Sequence, residues 1–203
     1  MVKRSRIEMS QEEADLIDKW LYLLLAANNN EPIRGRVRLM KEFFLFSINY
    51  DKKLFNIAEF YPYHFGPYST RVAARINVLK SIKHIKAEYK NQDWEYSLNE
   101  EGLIKANDFK NNVSNIKLNA LVNIKENNKR LSLKDLLKEI YIDYPEYSSR
   151  SIIRKEIIKE KINTDKLIII DDGPGFVSSI PSGDIEIELK EKAAKRYLKL
   201  ISE

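Results

Sequence analysis

Apolar residues recur at helical spacing through most of this chain and alternate at a spacing of two in a few short segments. Ile17, Trp20, Leu21, Leu24 and Leu25 mark one face of a first helix. Ser10 and Glu13 stand ahead of it at capping-box spacing, and Asn28-Asn29-Asn30 ends it. Glu31-Pro32-Ile33 reads as a connector or minimal strand. Leu39, Phe43 and Phe46 form the core line of a second helix, from Arg36 to about Ile48. Residues 49–67 read as a long loop dense in aromatic side chains, fastened to the helices by its own mini-core. Ser69 caps a third helix in which Val72, Ile76, Leu79 and Ile82 recur at steps of 4, 3 and 3. Ile85–Lys90 and Trp94–Leu98 flank a polar tip, Asn91-Gln92-Asp93, and predict a hairpin.

From Asn99 to about Asn127 the pattern predicts one long helix. Ala106, Phe109, Val113, Ile116, Ala120 and Ile124 form a near-heptad seam along it. Of these, Phe109, Val113, Ile116, Ala120 and Ile124 are expected to pair two copies of the chain into a homodimer. Asn-rich residues 126–130 form the boundary between a first domain, 1–127, and a second, 131–203. In the second, Ser132 caps a helix carrying Leu133, Leu136, Leu137, Ile140 and Tyr141, which ends at Tyr144-Pro145. Ser148 or Ser149 caps another, with Ile152, Ile153, Glu156 and Ile157. Leu167–Asp171 and Phe176–Ile180 flank Asp172-Gly173-Pro174-Gly175, a hairpin signal. A third strand at Ile185, Ile187 and Leu189 and a helix from Lys190 to Ile201 follow. The expected class is mainly α with small β-hairpins, an α+β chain. The second domain reads either as a small accessory domain or as a degenerate repeat of the first.

A capped helix, a short hairpin and a following helix form the recognition half of a winged helix-turn-helix. In that arrangement double-stranded DNA is the partner. On the third helix Ser69, Thr70, Arg71, Ala74, Arg75 and Asn77 are the candidate groups near base edges. Arg34, Arg36 and Arg38, clustered at the start of the second helix, and the hairpin lysines Lys86 and Lys90 are candidates for phosphate. Reversing the charge of Arg71 and Arg75 is expected to abolish DNA binding without lowering the melting temperature. The charge distribution agrees: residues 32–90 carry 12 Lys/Arg against 4 acids, net +8, although the whole chain is only +5. Lys3, Arg4 and Arg6 make a short basic arm, read as a frayed terminus.

Other chemistry is thinly supplied. With no cysteine, disulfides, thiolate catalysis and Cys-based zinc sites are excluded, and a reducing, cytoplasmic setting is the expectation. The longest apolar run, Trp20–Ala27, is too short to span a bilayer, and the basic N-terminus is not followed by the apolar stretch of a signal peptide. His64 and His84 lack metal-ligand spacing and read as structural. No catalytic residue, cofactor or metal is expected. A weak acid pattern, Asp171-Asp172 with Glu188-Leu189-Lys190, matches the way some nucleases hold Mg²⁺, but turn chemistry and a Lys/Glu-rich composition explain it as well.

Several segments together resemble a known family. Leu21–Ala27, Pro32-Ile33-Arg34-Gly35-Arg36 with Leu39 and Lys41, Tyr63-His64-Phe65-Gly66-Pro67-Tyr68-Ser69, and Tyr96-Ser97-Leu98 leading to Glu101-Gly102 resemble the YwgA-like predicted winged-helix transcription regulators. The Gly-Pro-Tyr-Ser stretch is also similar to the SocA-like, or Panacea, antitoxin domain. The resemblance covers roughly residues 11–110. It implies a winged-helix fold, a DNA-facing role for Ser69 and the helix it opens, and no catalytic residues. The antitoxin likeness keeps a second reading open: a protein-interaction module, an antitoxin or adaptor, whose partner surface is the aromatic segment 55–68.

Overall fold

The computed structural model describes residues 9–90, 93–159, 169–170 and 177–179. It is mainly helical with small antiparallel sheets, an α+β chain. It divides into two compact units: Met1–Phe60 with Ser69–Arg130, and Tyr61–Tyr68 with Leu131–Glu203.

The first unit is built around α1 (Gln11–Asn30). The Ser10–Glu13 capping box forms as the spacing predicts, the serine side chain accepting from Glu13 N–H and the glutamate from Ser10 N–H. Ala27 leaves helical geometry, and Asn28, Asn29 and Asn30 then all take positive φ (52°, 55° and 59°), a conformation asparagine tolerates better than most side chains. Two carbonyls freed by this ending are met from elsewhere in the chain. The buried Lys125 ammonium donates to Leu25 and Ala27 oxygens at 2.7 Å each. The Asn30 amide donates to the Leu98 carbonyl at 2.9 Å and accepts from the Leu98 N–H at 2.8 Å, acting as a one-residue strand partner.

After β1 (Ile33–Arg34) come α2 (Arg36–Tyr50) and α3 (Lys52–Ala58). The long loop expected over 49–67 is therefore largely ordered structure: Asp51 caps α3 by accepting from Leu54 N–H. Phe55 and Phe60 pack on Phe44, which is the aromatic mini-core in part. The rest of that segment, β2 (Tyr61–Tyr63) and β3 (Gly66–Tyr68), is a hairpin belonging to the second unit.

Next in the first unit are α4 (Thr70–Ser81), β4 (Ile85–Lys90), β5 (Asp93–Leu98), α5 (Glu100–Lys110) and α6 (Asn115–Arg130). The strands form one antiparallel sheet in the order β1-β5-β4, with Ile33 opposite Tyr96 and Tyr89 opposite Trp94. The core is the meeting of α1, α2, α4, α5 and α6, with Ile17, Leu21, Leu24, Leu39, Phe43, Phe46, Val72 and Ile76 all fully buried. Ile82, placed on the core stripe by its spacing, is 48% exposed because α4 has already ended.

The single helix expected over 99–127 is two helices. Asn111, Asn112 and Ser114 break it, since short polar side chains compete for backbone hydrogen bonds. The inward face of α6 is also rotated from the expected seam: Leu121, Lys125 and Asn128 are buried while Ile116 is 76% exposed.

In the second unit, Ser132 caps α7 (Leu133–Asp143), whose Leu136, Leu137, Ile140 and Tyr141 are buried; Leu133 is exposed. A 3-10 turn, Pro145–Ser148, and α8 (Arg154–Lys159) replace the helix expected to start at Ser148 or Ser149. The β2–β3 hairpin is held on this unit. His64 carbonyl accepts from Ile152 N–H and Ser151 Oγ, at 3.1 Å each, and the Tyr141 hydroxyl lies 2.7 Å from the same Oγ. Gly66 has φ +85°, and a Cβ there would stand 2.8 Å from the Tyr141 ring. The Gly-Pro-Tyr stretch is thus explained by hairpin geometry and packing. β6 (Ile169–Ile170) pairs antiparallel with β7 (Val177–Ser179), as expected of the strands flanking the Asp-Gly-Pro-Gly turn. The turn, the third strand and the last helix lie outside the described residues.

Candidate nucleic-acid interface

Ser69 opens α4. Its hydroxyl accepts from Val72 N–H at 3.0 Å and donates to the Ala58 carbonyl, and the side chain is fully buried. It is a structural cap joining α3 to α4, not a group facing solvent. Val72, Ala73, Ile76 and Leu79 turn inward. The opposite side of α4 presents Thr70, Ala74, Asn77, Val78 and Ser81 to solvent. This surface has no charge and no long side chain, so a groove can approach the helix backbone closely. Asn77 offers the amide geometry that pairs with an adenine edge.

The two arginines of this helix serve another purpose. Arg75 makes a two-pronged pair with Asp18 of α1: Nε to Oδ1 at 2.7 Å and Nη2 to Oδ2 at 2.5 Å, the side chains being 18% and 13% exposed. Burial is the main influence on Asp18 and raises its pKa; the hydrogen bond and charge of Arg75 pull the other way. Arg71 reaches Glu13 at 3.3 Å, Glu59 at 2.9 Å and the Ile57 carbonyl near the end of α3 at 3.1 Å. Both residues therefore fasten α4 to the rest of the first unit. Charge reversal at either would place like charges together in a half-buried setting, so the expectation of an unchanged melting temperature is corrected.

The arginine cluster at the start of α2 is likewise divided. Arg38 donates to the Asn128 carbonyl at the end of α6. Arg36 donates to the Ala73 carbonyl of α4 at 3.0 Å and stays part-exposed. Arg34 is 65% exposed and pairs with Glu95 at 3.1 Å. On the hairpin, Lys86 and Lys90 bracket Glu88 at 2.6 Å each, and their hydrogen bonds lower its pKa. The outer face of the sheet thus sets Arg34, Lys86 and Lys90 against Glu88, Asp93 and Glu95 and carries no net charge.

The inner face of the hairpin supplies aromatic residues that helical periodicity did not mark, and they meet a lysine of α4 that the charge count included without a role. Lys80 of α4 holds its ammonium 5.7 Å from the Trp94 ring and 5.8 Å from the Tyr96 ring. Beyond them Tyr89 and Trp94 are 64% and 47% exposed. The alternation Tyr89, Ala87, Ile85 opposite Trp94, Tyr96, Leu98 was the available signal, since partners in register share a face. Lys80 thus borders the aromatic face of the hairpin, and Arg36 reaches the backbone of α4 while acting electrostatically on Tyr96.

The expected dimer seam is mostly used inside the first unit. Ala120 is buried, and Phe109 lies 5.9 Å from the Tyr22 ring of α1. Val113 and Ile124 are half-buried, leaving Ile116 as the exposed apolar residue of the set. His84 is tied to Tyr22, Nδ1 to hydroxyl at 2.5 Å, consistent with a structural role. The basic arm and the acid pattern at 171–172 and 188–190 lie outside the described residues. Among the described residues no helix is long and apolar enough to cross a membrane.

No protein-family model matches the sequence, and no curated protein is significantly similar to it.

Proposed function

We propose that this chain is a DNA-binding protein of the winged-helix type and acts as a transcription regulator. α4 is the recognition helix and β4–β5 the wing. The order β1, α4, β4, β5 and the sheet order β1-β5-β4 support this reading. The observation that carries it is the solvent face of α4, where Thr70, Ala74, Asn77, Val78 and Ser81 form a small, uncharged surface flanked by Lys80 and Arg36. A helix that only needed solubility would carry charges there. Base contact comes from Thr70, Ala74 and Asn77; phosphate contact comes from Arg36 and Lys80, since Arg34, Lys86 and Lys90 are paired to Glu95 and Glu88. Fluorescence anisotropy with a random duplex, from low to physiological salt, tests it. Affinity should fall steeply with salt, and Lys80→Ala should reduce the slope of log K against log salt by about one. No binding at low salt would remove the proposal.

One observation favours a second reading, in which the partner is a protein. The β2–β3 hairpin of the second unit exposes Tyr63 and Phe65, 42% and 39%, with Tyr63 stacked on His64 at 4.2 Å. An antitoxin or adaptor would use that hairpin, and replacing both rings by serine would then abolish a stoichiometric protein complex while leaving DNA affinity unchanged.

A further inference from the structure

The inner face of the hairpin runs outward from Ile85 and Leu98, through Ala87 and buried Tyr96, to Tyr89 and Trp94. These last two rings are cross-strand partners with centroids 5.6 Å apart at 64°, and more π-surface than a structural role requires is left in water. Trp94 is the exposed one of the chain's two tryptophans; Trp20 is 3% exposed and packs on Phe46. The groups bordering the exposed rings are mainly cationic. Lys80 stands over Trp94, and Arg36 lies farther in, acting electrostatically on Tyr96. Asp93, on the opposite face by register, accepts from the Trp94 N–H at 2.7 Å.

The opposite face of the same hairpin decides what this aromatic face is for. There Lys86 and Lys90 are both paired to Glu88, and Arg34 of the neighbouring β1 is paired to Glu95. A wing of balanced charge gains little from counterion release, so its affinity for nucleic acid has to come from the rings. Aromatic surface edged by cations is the combination that holds unstacked bases while neighbouring phosphates are neutralised.

We infer that Tyr89 and Trp94 form a stacking site for one unpaired base of the bound DNA, with Lys80 and Arg36 on the adjoining phosphates. This rests on the reading of α4 as the duplex-binding helix. It gives the protein a preference for duplex interrupted by an extrahelical or unpaired nucleotide over a perfect duplex.

The test is a parallel titration of the full chain with two labelled duplexes of the same sequence, one perfect and one with a single extrahelical thymine. Anisotropy and tryptophan emission are read together. The expected result is about tenfold or greater preference for the interrupted duplex, accompanied by quenching of the exposed tryptophan. Trp94→Ala should remove both the preference and the quenching while perfect-duplex affinity persists, and Trp94→Phe should retain the preference. Equal affinity for the two DNAs with unquenched emission overturns the stacking site and leaves the α4 reading standing. Failure to bind either DNA overturns both.

Discussion

Replacing Arg75 with alanine should destabilise the first unit by about 2–3 kcal/mol at pH 7. An exposed ion pair is worth roughly 0–1 kcal/mol, while breaking a fully buried one costs roughly 3–5 kcal/mol. The Arg75–Asp18 pair, bidentate and with side chains 18% and 13% exposed, sits nearer the second case. Most of the cost is the Asp18 carboxylate left behind. Burial already raises its pKa against the pull of Arg75, and loss of that guanidinium raises it further. A carboxyl whose folded-state pKa is raised binds its proton more tightly in the folded chain, so protonation favours folding. The deficit of Arg75→Ala should therefore be full at pH 7 and shrink as pH falls into the ordinary carboxylate range. Urea unfolding of the parent, Arg75→Ala, Asp18→Asn and the double variant, at pH 7 and pH 4, measures it. The double variant should lose less than the two single losses added together, by about 1 kcal/mol or more. A single-variant loss below about 0.5 kcal/mol, with a fall in duplex affinity, would refute the reasoning and return Arg75 to the DNA surface.

Ser69→Ala removes both the cap of α4 and the bond to the Ala58 carbonyl, and should cost about 1–2 kcal/mol in thermal or chemical unfolding. Gly102→Ala should cost about 2 kcal/mol or more, because its Cβ would lie 2.5 Å from the His84 carbonyl, a backbone atom that cannot swing aside. Glu42 is 1% exposed, and burial pushes its carboxyl up to about 8 against the pull of Arg38 and Lys125. Its contribution is full below about 4.5 and lost as pH rises through about 8, so Glu42→Gln should flatten that decline and leave the variant more stable than the parent at pH 9. Lys41 behaves in the opposite sense. Burial pushes its ammonium down to about 7, so Lys41→Met should remove a gain in stability that the parent shows between about pH 7 and 10.5 in denaturant titrations.

Local signals in the sequence carried much of this fold. The Ser10–Glu13 box, the Ser69 and Ser132 caps, the Asn28–Asn30 stop and the hairpin at 85–98 all rest on chemistry within a few residues, and each forms. Features set by distant partners were not legible. The apolar steps across 99–127 fit one helix, but Asn111-Asn112 and Ser114 divide it, and α6 turns to bury Lys125 because two carbonyls 98 to 100 residues earlier need a donor. The segment 49–67 reads as one aromatic loop, yet it splits between the two units at Phe60. The site shows the same division. Thr70, Ala74 and Asn77 are exposed as helical spacing predicts. Arg71 and Arg75 look equally available until their acids, 57 or 58 residues away on α1, are known. Ser69 carries a recognisable motif position whose explanation is a buried cap.

The most direct measurement of the central claim is the anisotropy titration of Asn77→Asp against the parent on duplex DNA at low salt. Asn77 is exposed, in the middle of the proposed reading face, so the substitution leaves folding intact while placing a negative charge opposite the groove. The account predicts salt-sensitive binding by the parent and at least tenfold weaker binding by the variant, the scale of one lost base contact of roughly 1–3 kcal/mol. Equal affinity of parent and variant, or no binding by the parent, would contradict it.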